Sequence, residues 1–159
     1  MKAMQRKVDA RELAARLERF DEACRQAGLK LTHQRTEVFR AVASADGHPD
    51  TDEIYRRVRR RLPAISLDTI YRTLWTLKDL GLIATLGTPS ERVRFDANSV
   101  PHHHFECTIC GATHDLCDPE LDGLTRRKSV RALGKAASCH VELRGTCAAC
   151  LKSPRKKPR

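Results

Sequence analysis

The sequence predicts an α+β protein, with an N-terminal winged-helix domain followed by a small α/β domain that carries a structural zinc site. Three observations predict this fold class. Four capped helical segments lead into a two-stranded hairpin, the pattern changes at residue 96, and two Cys-x-x-Cys motifs lie in the second half, at 107–110 and 147–150. We therefore expect a domain at 1–95, a hinge at 96–101, a second domain at 102–151 and a tail at 152–159.

The first half contains four apolar stripes with helical spacing, each bounded by residues that start or end helices. The first stripe covers 9–27 and is followed by Gly28. Each of the next three helices starts at a small polar cap and ends at glycine or proline. They run from Thr32 to 47–49, from Thr51 to Pro63 and from Ser66 to Gly81. Residues 82–86 and 92–96 then alternate around a turn at 87–90, which predicts the wing.

In a winged helix the fourth helix lies in the major groove of DNA. Its exposed side is predicted to carry Asp68, Tyr71, Arg72 and Trp75. Arg72 can bind guanine with two hydrogen bonds, and Tyr71 can donate to phosphate or pack on a thymine methyl group. With Ser66 at the start of the helix, Tyr71 and Arg72 are the predicted DNA-binding residues. A solvated polar face is the alternative, and the net basic charge of residues 1–95 favours DNA.

The strongest signal for metal binding is the pair of Cys-x-x-Cys motifs, formed by Cys107 and Cys110 and by Cys147 and Cys150. Each motif supplies two ligands, and four thiolates fill the coordination sphere of zinc. Such a closed site holds structure and leaves no position for chemistry. Two redox dithiols or two disulfides are the alternatives. The 36 residues between the motifs indicate that the zinc joins strands of a folded domain.

A second metal site is predicted just before the first cysteine pair. On a strand, His102 and His104 point to one face, and Asp115 within 113–116 offers a carboxylate from the same sheet. Such ligands suit iron, manganese or zinc, and oxygen ligands favour iron or manganese. His103 is expected on the opposite face, solvated or weakly bound, and His140 is interpreted as a strand residue.

Composition favours a nucleic-acid-binding protein of the cytoplasm. The 159 residues carry a net charge of +10, with 19 basic and 13 acidic side chains in 1–95. Five basic residues lie in the tail at 152–159, which is expected to be disordered. No apolar run long enough for a membrane and no signal peptide is found, so neither membrane insertion nor secretion is expected. Seven cysteines without a disulfide framework suit a reducing compartment.

Several motifs together resemble the ferric uptake regulator family, and they occur in the order 47–49, 66–74, 94–96, 102–111 and 145–150. The resemblance covers about residues 20–151. It implies a homodimeric, metal-dependent repressor whose C-terminal domain dimerises and which binds a pseudo-palindromic DNA operator. It also implies a regulatory Fe²⁺ or Mn²⁺ site whose five ligands fall on His48, Asp96, His102, His104 and Asp115.

Aspartate at 96 and 115, where iron-responsive members usually have glutamate, makes the chain most similar to the peroxide-sensing branch. In that branch iron-catalysed oxidation of a ligand histidine, here His48 or His102, would release DNA. An iron-responsive repressor of metal uptake is the alternative. No enzymatic activity is expected. A zinc hydrolase would need a motif such as His-Glu-x-x-His, and a thiol oxidoreductase would need a thioredoxin-like context; the sequence has neither.

Overall fold

The computed structural model describes residues 8–87 and 93–152, and these form two compact units. One unit ends at Ser99 and the other begins at Val100. The division falls within the segment 96–101, for which the sequence predicts a hinge; the hinge and the domain limits stay predictions. Residues 88–90 of the predicted turn at 87–90, the predicted start of the second wing strand at residue 92 and the tail from 153 onward lie outside the described residues.

The first unit begins with four α-helices, as the sequence predicts. They are α1 (Ala10–Gln26), α2 (His33–Ala43), α3 (Thr51–Arg59) and α4 (Leu67–Asp79). The side chains of Asp9, Thr32 and Ser66 cap α1, α2 and α4 by accepting a hydrogen bond from the backbone N–H three residues ahead. The prediction of Thr51 as the cap of α3 is wrong. Asp50 caps this helix by accepting from the N–H of Glu53 at 2.8 Å, and Thr51 is its first residue.

A single apolar core holds these helices together. The rings of Phe20 from α1 and Phe39 from α2 stack with centroids 4.8 Å apart, and both are buried. Helix α4 contributes three side chains that are at most 1% exposed, Ile70, Leu74 and Leu77. The spacing of these three residues buries one face of α4 and leaves the opposite face in solvent.

The wing strands are β1 (Ala84–Leu86) and β2 (Arg94–Asp96), which pair antiparallel with Thr85 opposite Phe95. Both strands are shorter than the predicted 82–86 and 92–96. Leu82 precedes β1 and packs against the helical core. The alternation of apolar and polar residues therefore begins before the hydrogen-bonded pairing of the strands does. Strand β2 is hydrogen-bonded to the loop before α3, since the N–H of Phe95 donates to the carbonyl of Pro49 at 3.0 Å.

The second unit is built on a three-stranded sheet in the order β4-β3-β5. Its strands are β3 (His103–Cys107), β4 (Thr113–Leu116) and β5 (Glu142–Gly145). Strand β4 runs antiparallel to β3, whereas β5 runs parallel to it. The sheet is accompanied by short helices: α5 (Pro119–Asp122), a 3₁₀ helix (Gly123–Arg126), α6 (Lys128–Arg131) and α7 (Ala148–Lys152). The mixture of helices and small sheets confirms the α+β prediction.

The second unit has a very small apolar core among the residues that the structure describes. Its buried hydrophobic cluster consists of Cys107, Cys147 and Cys150, with Phe105, Ile109 and Cys110 packed against it. A core of this size contributes too little free energy to fold a unit of about 50 residues. A cross-link at the cysteines would supply stability that this core lacks. None of the described helices is long and apolar enough to cross a bilayer.

Candidate metal centres and nucleic-acid interface

The four cysteines of the two Cys-x-x-Cys motifs converge on one point of the second unit. Their sulfur atoms all lie within 4.8 Å of one another, and Cys110 Sγ is 3.9 Å from Cys147 Sγ. Cys107 ends β3 and Cys110 lies in the turn before β4, whereas Cys147 precedes α7 and Cys150 lies in its first turn. Because β3 and β5 are parallel and paired at Cys107 and Gly145, both motifs emerge at the same end of the sheet.

This donor set fits a tetrahedral zinc ion. Sulfurs that bind one zinc at 2.3 Å lie about 3.8 Å apart, close to the distance between Cys110 and Cys147. Backbone N–H groups of Cys110 and Cys147 donate to the Cys107 sulfur and lower the pKa of this thiol to about 6. Burial and the neighbouring thiols raise the pKa of Cys150 to about 12. A second negative charge is thus disfavoured without a cation, and Zn²⁺ supplies the charge that allows four thiolates.

In the first unit, His48 and Asp96 form a buried pair of imidazole and carboxylate. His48 Nε2 lies 3.9 Å from Asp96 Oδ1, and the two residues are 8% and 7% exposed. The backbone holds them in place: Arg94 Nη1 donates to the His48 carbonyl at 3.0 Å, and the N–H of Asn98 donates to Asp96 Oδ1 at 2.7 Å. The wing strand β2 therefore positions a carboxylate beside the loop that carries the histidine.

In the second unit, His102, His104 and Asp115 form a second group of the same chemistry. His102 Nε2 lies 2.9 Å from His104 Nε2, so both rings are on one face, as the alternation predicts. Asp115 Oδ1 lies 3.9 Å from His102 Nε2 and 3.7 Å from His104 Nε2. Strand pairing explains this proximity, because Asp115 of β4 lies directly opposite His104 of β3.

The spacing within each group suits a bound divalent ion. Two ligands that contact one ion at about 2.1 Å lie at most about 4.2 Å apart, and every distance given above for these two groups is shorter. In both groups, the nitrogen that faces the carboxylate is Nε2. Imidazole nitrogen and carboxylate oxygen are ligands that iron, manganese and zinc accept.

The other nitrogen of each ring in the second group is held by a hydrogen-bond partner. His102 Nδ1 lies 2.7 Å from the carbonyl of Val100, so Nδ1 carries the proton and Nε2 presents its lone pair. His104 Nδ1 lies 3.1 Å from His140 Nε2. Burial, followed by the neighbouring histidines, lowers the pKa of His140 below its ordinary value. Neutral His140 can therefore accept a hydrogen bond from the Nδ1–H of His104.

Sequence reasoning missed the contact of His140 and misplaced His103. The prediction of His140 as a strand residue is wrong, since it precedes β5 and faces His104. The prediction that His103 is solvated is also wrong: it is 0% exposed on the central strand. Its Nδ1 accepts the N–H of Val141 at 3.2 Å, and its Nε2 lies 3.2 Å from Asp122 Oδ1. These contacts come from the loop before β5 and from the end of α5, and alternation along one strand cannot predict them.

The predicted DNA-binding residues lie on the exposed side of α4. Tyr71 is 45% exposed, and Arg72 extends into solvent, where its Nε lies 3.1 Å from Asp68 Oδ2. Both side chains of this ion pair are about three-quarters exposed, so the pair is weak and Arg72 can exchange its partner. The hydroxyl of Ser66 is occupied in the cap of the helix by the N–H of Thr69.

Fold and sites together define a class of protein, a winged-helix DNA-binding protein whose second unit binds metal. The chain belongs to the ferric uptake regulator family, because the model of that family matches residues 26–144. Members of this family are metal-responsive regulators and not enzymes.

Individual relatives agree with this assignment. The "Peroxide-responsive repressor PerR" of Staphylococcus aureus is 32% identical over 143 residues, which cover 90% of this chain and 97% of the relative. The ferric uptake regulator Fur of Helicobacter pylori superposes with a TM-score of 0.76 at 25% identity, covering 94% of this chain and 99% of that structure. The peroxide stress regulator of Campylobacter jejuni superposes with a TM-score of 0.66 at 26% identity, covering 84% and 98%.

Proposed function

We propose that this chain is a homodimeric repressor that binds a pseudo-palindromic DNA operator and is released from it by hydrogen peroxide. The observation that carries the proposal is the group of His102, His104 and Asp115, whose ligand atoms lie within the reach of one ion. Cys107, Cys110, Cys147 and Cys150 would hold the structural zinc. The regulatory Fe²⁺ or Mn²⁺ would take His48 and Asp96 in addition to the first three ligands.

The distribution of these ligands along the chain suggests how metal controls DNA binding. His48 and Asp96 belong to the unit with the recognition helix, whereas His102, His104 and Asp115 belong to the other unit. An ion that needs ligands from both units binds the arrangement that provides them all. Metal binding therefore shifts the population toward one arrangement of the dimer. In that arrangement the two recognition helices would be about 34 Å apart, one turn of DNA.

Peroxide sensing is supported by two of the relatives, which are named for their response to peroxide. The aspartates at 96 and 115 also favour peroxide sensing, since they resemble the peroxide-sensing branch of the family. When bound, Fe²⁺ would activate peroxide beside the ligand rings. A ring carbon of His48 or His102 would gain one oxygen atom of the peroxide, the ring supplying the two electrons, and the other oxygen would leave as water. An oxidised ring is a weaker ligand, so the metal-dependent arrangement loses its stabilisation and the dimer leaves the operator.

The test is peptide mass spectrometry after mild peroxide treatment of the iron-loaded and manganese-loaded proteins, alongside operator binding. We expect an added oxygen on His48 or His102 in the iron form only, with intact cysteines and loss of DNA binding. Mn²⁺ should protect, because it does not undergo the same reaction with peroxide. His33, which is exposed on α2, is an internal control for random oxidation. DNA release that follows only the oxidation of cysteines would contradict the proposal.

A second candidate is an iron-responsive repressor of metal uptake. The likeness to the Helicobacter pylori ferric uptake regulator over 94% of this chain favours it. Such a protein would bind its operator with iron and dissociate when iron is removed, and peroxide would leave its histidines unchanged. The same experiment therefore separates the two candidates.

A further inference from the structure

The recognition helix α4 exposes more apolar surface than its fold requires. Trp75 is 46% exposed and lies one helical turn after Tyr71, which is 45% exposed. The opposite face of α4 already supplies Ile70, Leu74 and Leu77 to the core. Two half-exposed aromatic rings on one stripe of a helix are typical of a surface that becomes buried against a partner.

The charges around Trp75 indicate the chemistry of that partner. The ammonium group of Lys78 lies over the indole ring, 4.6 Å from its centroid. Arg72, three residues before Trp75, carries a second cation on the same side of the helix. Basic groups that flank an apolar ring are complementary to a surface that combines phosphates with apolar groups. The major groove of DNA is such a surface, and its apolar group is the C5-methyl of thymine.

We propose that Trp75 is a specificity-determining residue that contacts the methyl group of a thymine in each operator half-site. Lys78 keeps the ring in position and offers its charge to a nearby phosphate. Arg72 and Tyr71 lie about 4.5 and 6 Å earlier along the helix, so the base that Trp75 contacts neighbours theirs. This inference rests on the proposed function, since it requires α4 to lie in the major groove.

The test starts with duplexes that the manganese-loaded wild-type protein selects from a random pool. Each thymine is then replaced in both half-sites by deoxyuridine, which lacks only the methyl group. Loss of one buried methyl corresponds to about fourfold in affinity, so two half-sites give about 16-fold. For the wild type we expect a loss of affinity of this size at one thymine position. For Trp75→Ala the loss of affinity at that position should be less than twofold. Trp75→Phe, which keeps an apolar ring, should retain part of the preference.

Two controls accompany this measurement. Leu151→Ala removes a side chain that is 70% exposed in the other unit, and it should respond to deoxyuridine as the wild type does. Trp75 is the only tryptophan of the chain, so its fluorescence reports on this residue alone. Binding of the selected duplex should change that emission, and 5-bromouracil at the critical thymine should quench it further.

Distinct results would overturn the inference. If Trp75→Ala weakens every duplex equally, the ring contacts only the DNA backbone and reads no base. If removal of the methyl group lowers the affinity of the wild type and of Trp75→Ala by the same factor, another residue contacts the thymine. Both results leave the proposed function intact. If the wild-type protein selects no duplex with any metal, the proposed function and this inference fail together.

Discussion

At the scale of single residues, the contact between His104 and His140 decides how a ligand is presented. His140 Nε2 lies 3.1 Å from His104 Nδ1, where it can accept the Nδ1–H and so favour the tautomer that leaves Nε2 of His104 available. Partners of this kind hold the ring in one orientation and make the ligand nitrogen more basic. His140 is therefore a positioning residue for the regulatory site.

We expect His140→Ala to weaken Mn²⁺ binding about 10- to 100-fold, the usual cost of losing such a partner. Zinc content should be unchanged, because His140 does not belong to the cluster of four cysteines. Isothermal titration with Mn²⁺ measures the affinity, and His114→Ala, a histidine on β4 without a proposed role, is the matched control. Equal Mn²⁺ affinity in His140→Ala and wild type would show that this hydrogen bond does not matter for the site.

Arg72 is the residue whose loss should affect DNA binding most directly. Its ion pair with Asp68 is exposed and weak, so the guanidinium can turn to a guanine with little loss. Arg72→Ala should weaken operator binding by about 1–3 kcal/mol and relax the preference at one base pair. Fluorescence anisotropy with the operator and its single-base variants measures both effects.

Arg56→Ala is the control for Arg72→Ala, because it removes the same charge from the exposed side of α3. It should weaken all duplexes slightly and change no base preference. Unaltered operator affinity in Arg72→Ala, with fold and metal content confirmed, would mean that another element reads the operator.

At the scale of elements, we expect the three-stranded sheet to depend on zinc and helices α1 to α4 to be independent of it. Helices α1 to α4 share an apolar core, but the sheet closes on a cluster made mostly of cysteines. A structural zinc contributes roughly 10–16 kcal/mol in small domains, as much as the whole stability of many folded proteins. The fold of the second unit is therefore coupled to metal binding.

Removal of zinc, by chelation or by Cys107→Ser, should unfold the sheet and leave the helices intact. Hydrogen exchange would show loss of amide protection in β3, β4 and β5 with retained protection in α1, α2 and α4. Size-exclusion chromatography should show loss of the dimer. Cys117→Ser changes an exposed cysteine and should behave as wild type. A stable, dimeric, zinc-free Cys107→Ser protein would contradict the structural role of the cluster.

Local signals account for the elements that the sequence predicts correctly. A cap such as Ser66 acts on an N–H three residues away, so helix starts can be read from short stretches. The start of α3 was misplaced because Asp50 and Thr51 are both good caps. Contacts such as that between His104 and His140, 36 residues apart, depend on the path of a loop. Periodicity carries no information about such a path, and His48 and Asp96 join the predicted regulatory ligands through family resemblance for the same reason.

At the scale of the whole molecule, the proposed function couples metal binding to DNA binding. If Mn²⁺ raises operator affinity by some factor, the operator must raise Mn²⁺ affinity by the same factor. We expect about 5- to 150-fold, the usual range for such coupling. Anisotropy with and without Mn²⁺, and Mn²⁺ titration with and without operator, give the two factors independently.

His48→Ala tests whether this coupling needs a ligand from the DNA-binding unit. The variant keeps His102, His104 and Asp115, so weak Mn²⁺ binding should remain while the effect of Mn²⁺ on operator affinity disappears. His33→Ala, an exposed histidine of the same unit, should keep full coupling. Full coupling in His48→Ala would remove this residue from the regulatory mechanism.

The short strand β3 gives the two metals an order of loading. This strand has only five residues, from His103 at its start to Cys107 at its end. We expect zinc at one end to be needed for β3 to pair with β4, and that pairing brings Asp115 opposite His104. A newly made chain must therefore acquire zinc before it can offer a place for iron or manganese. Under zinc starvation, new chains would be unable to repress at all, and the loss of repression would resemble a peroxide response in the absence of any oxidant.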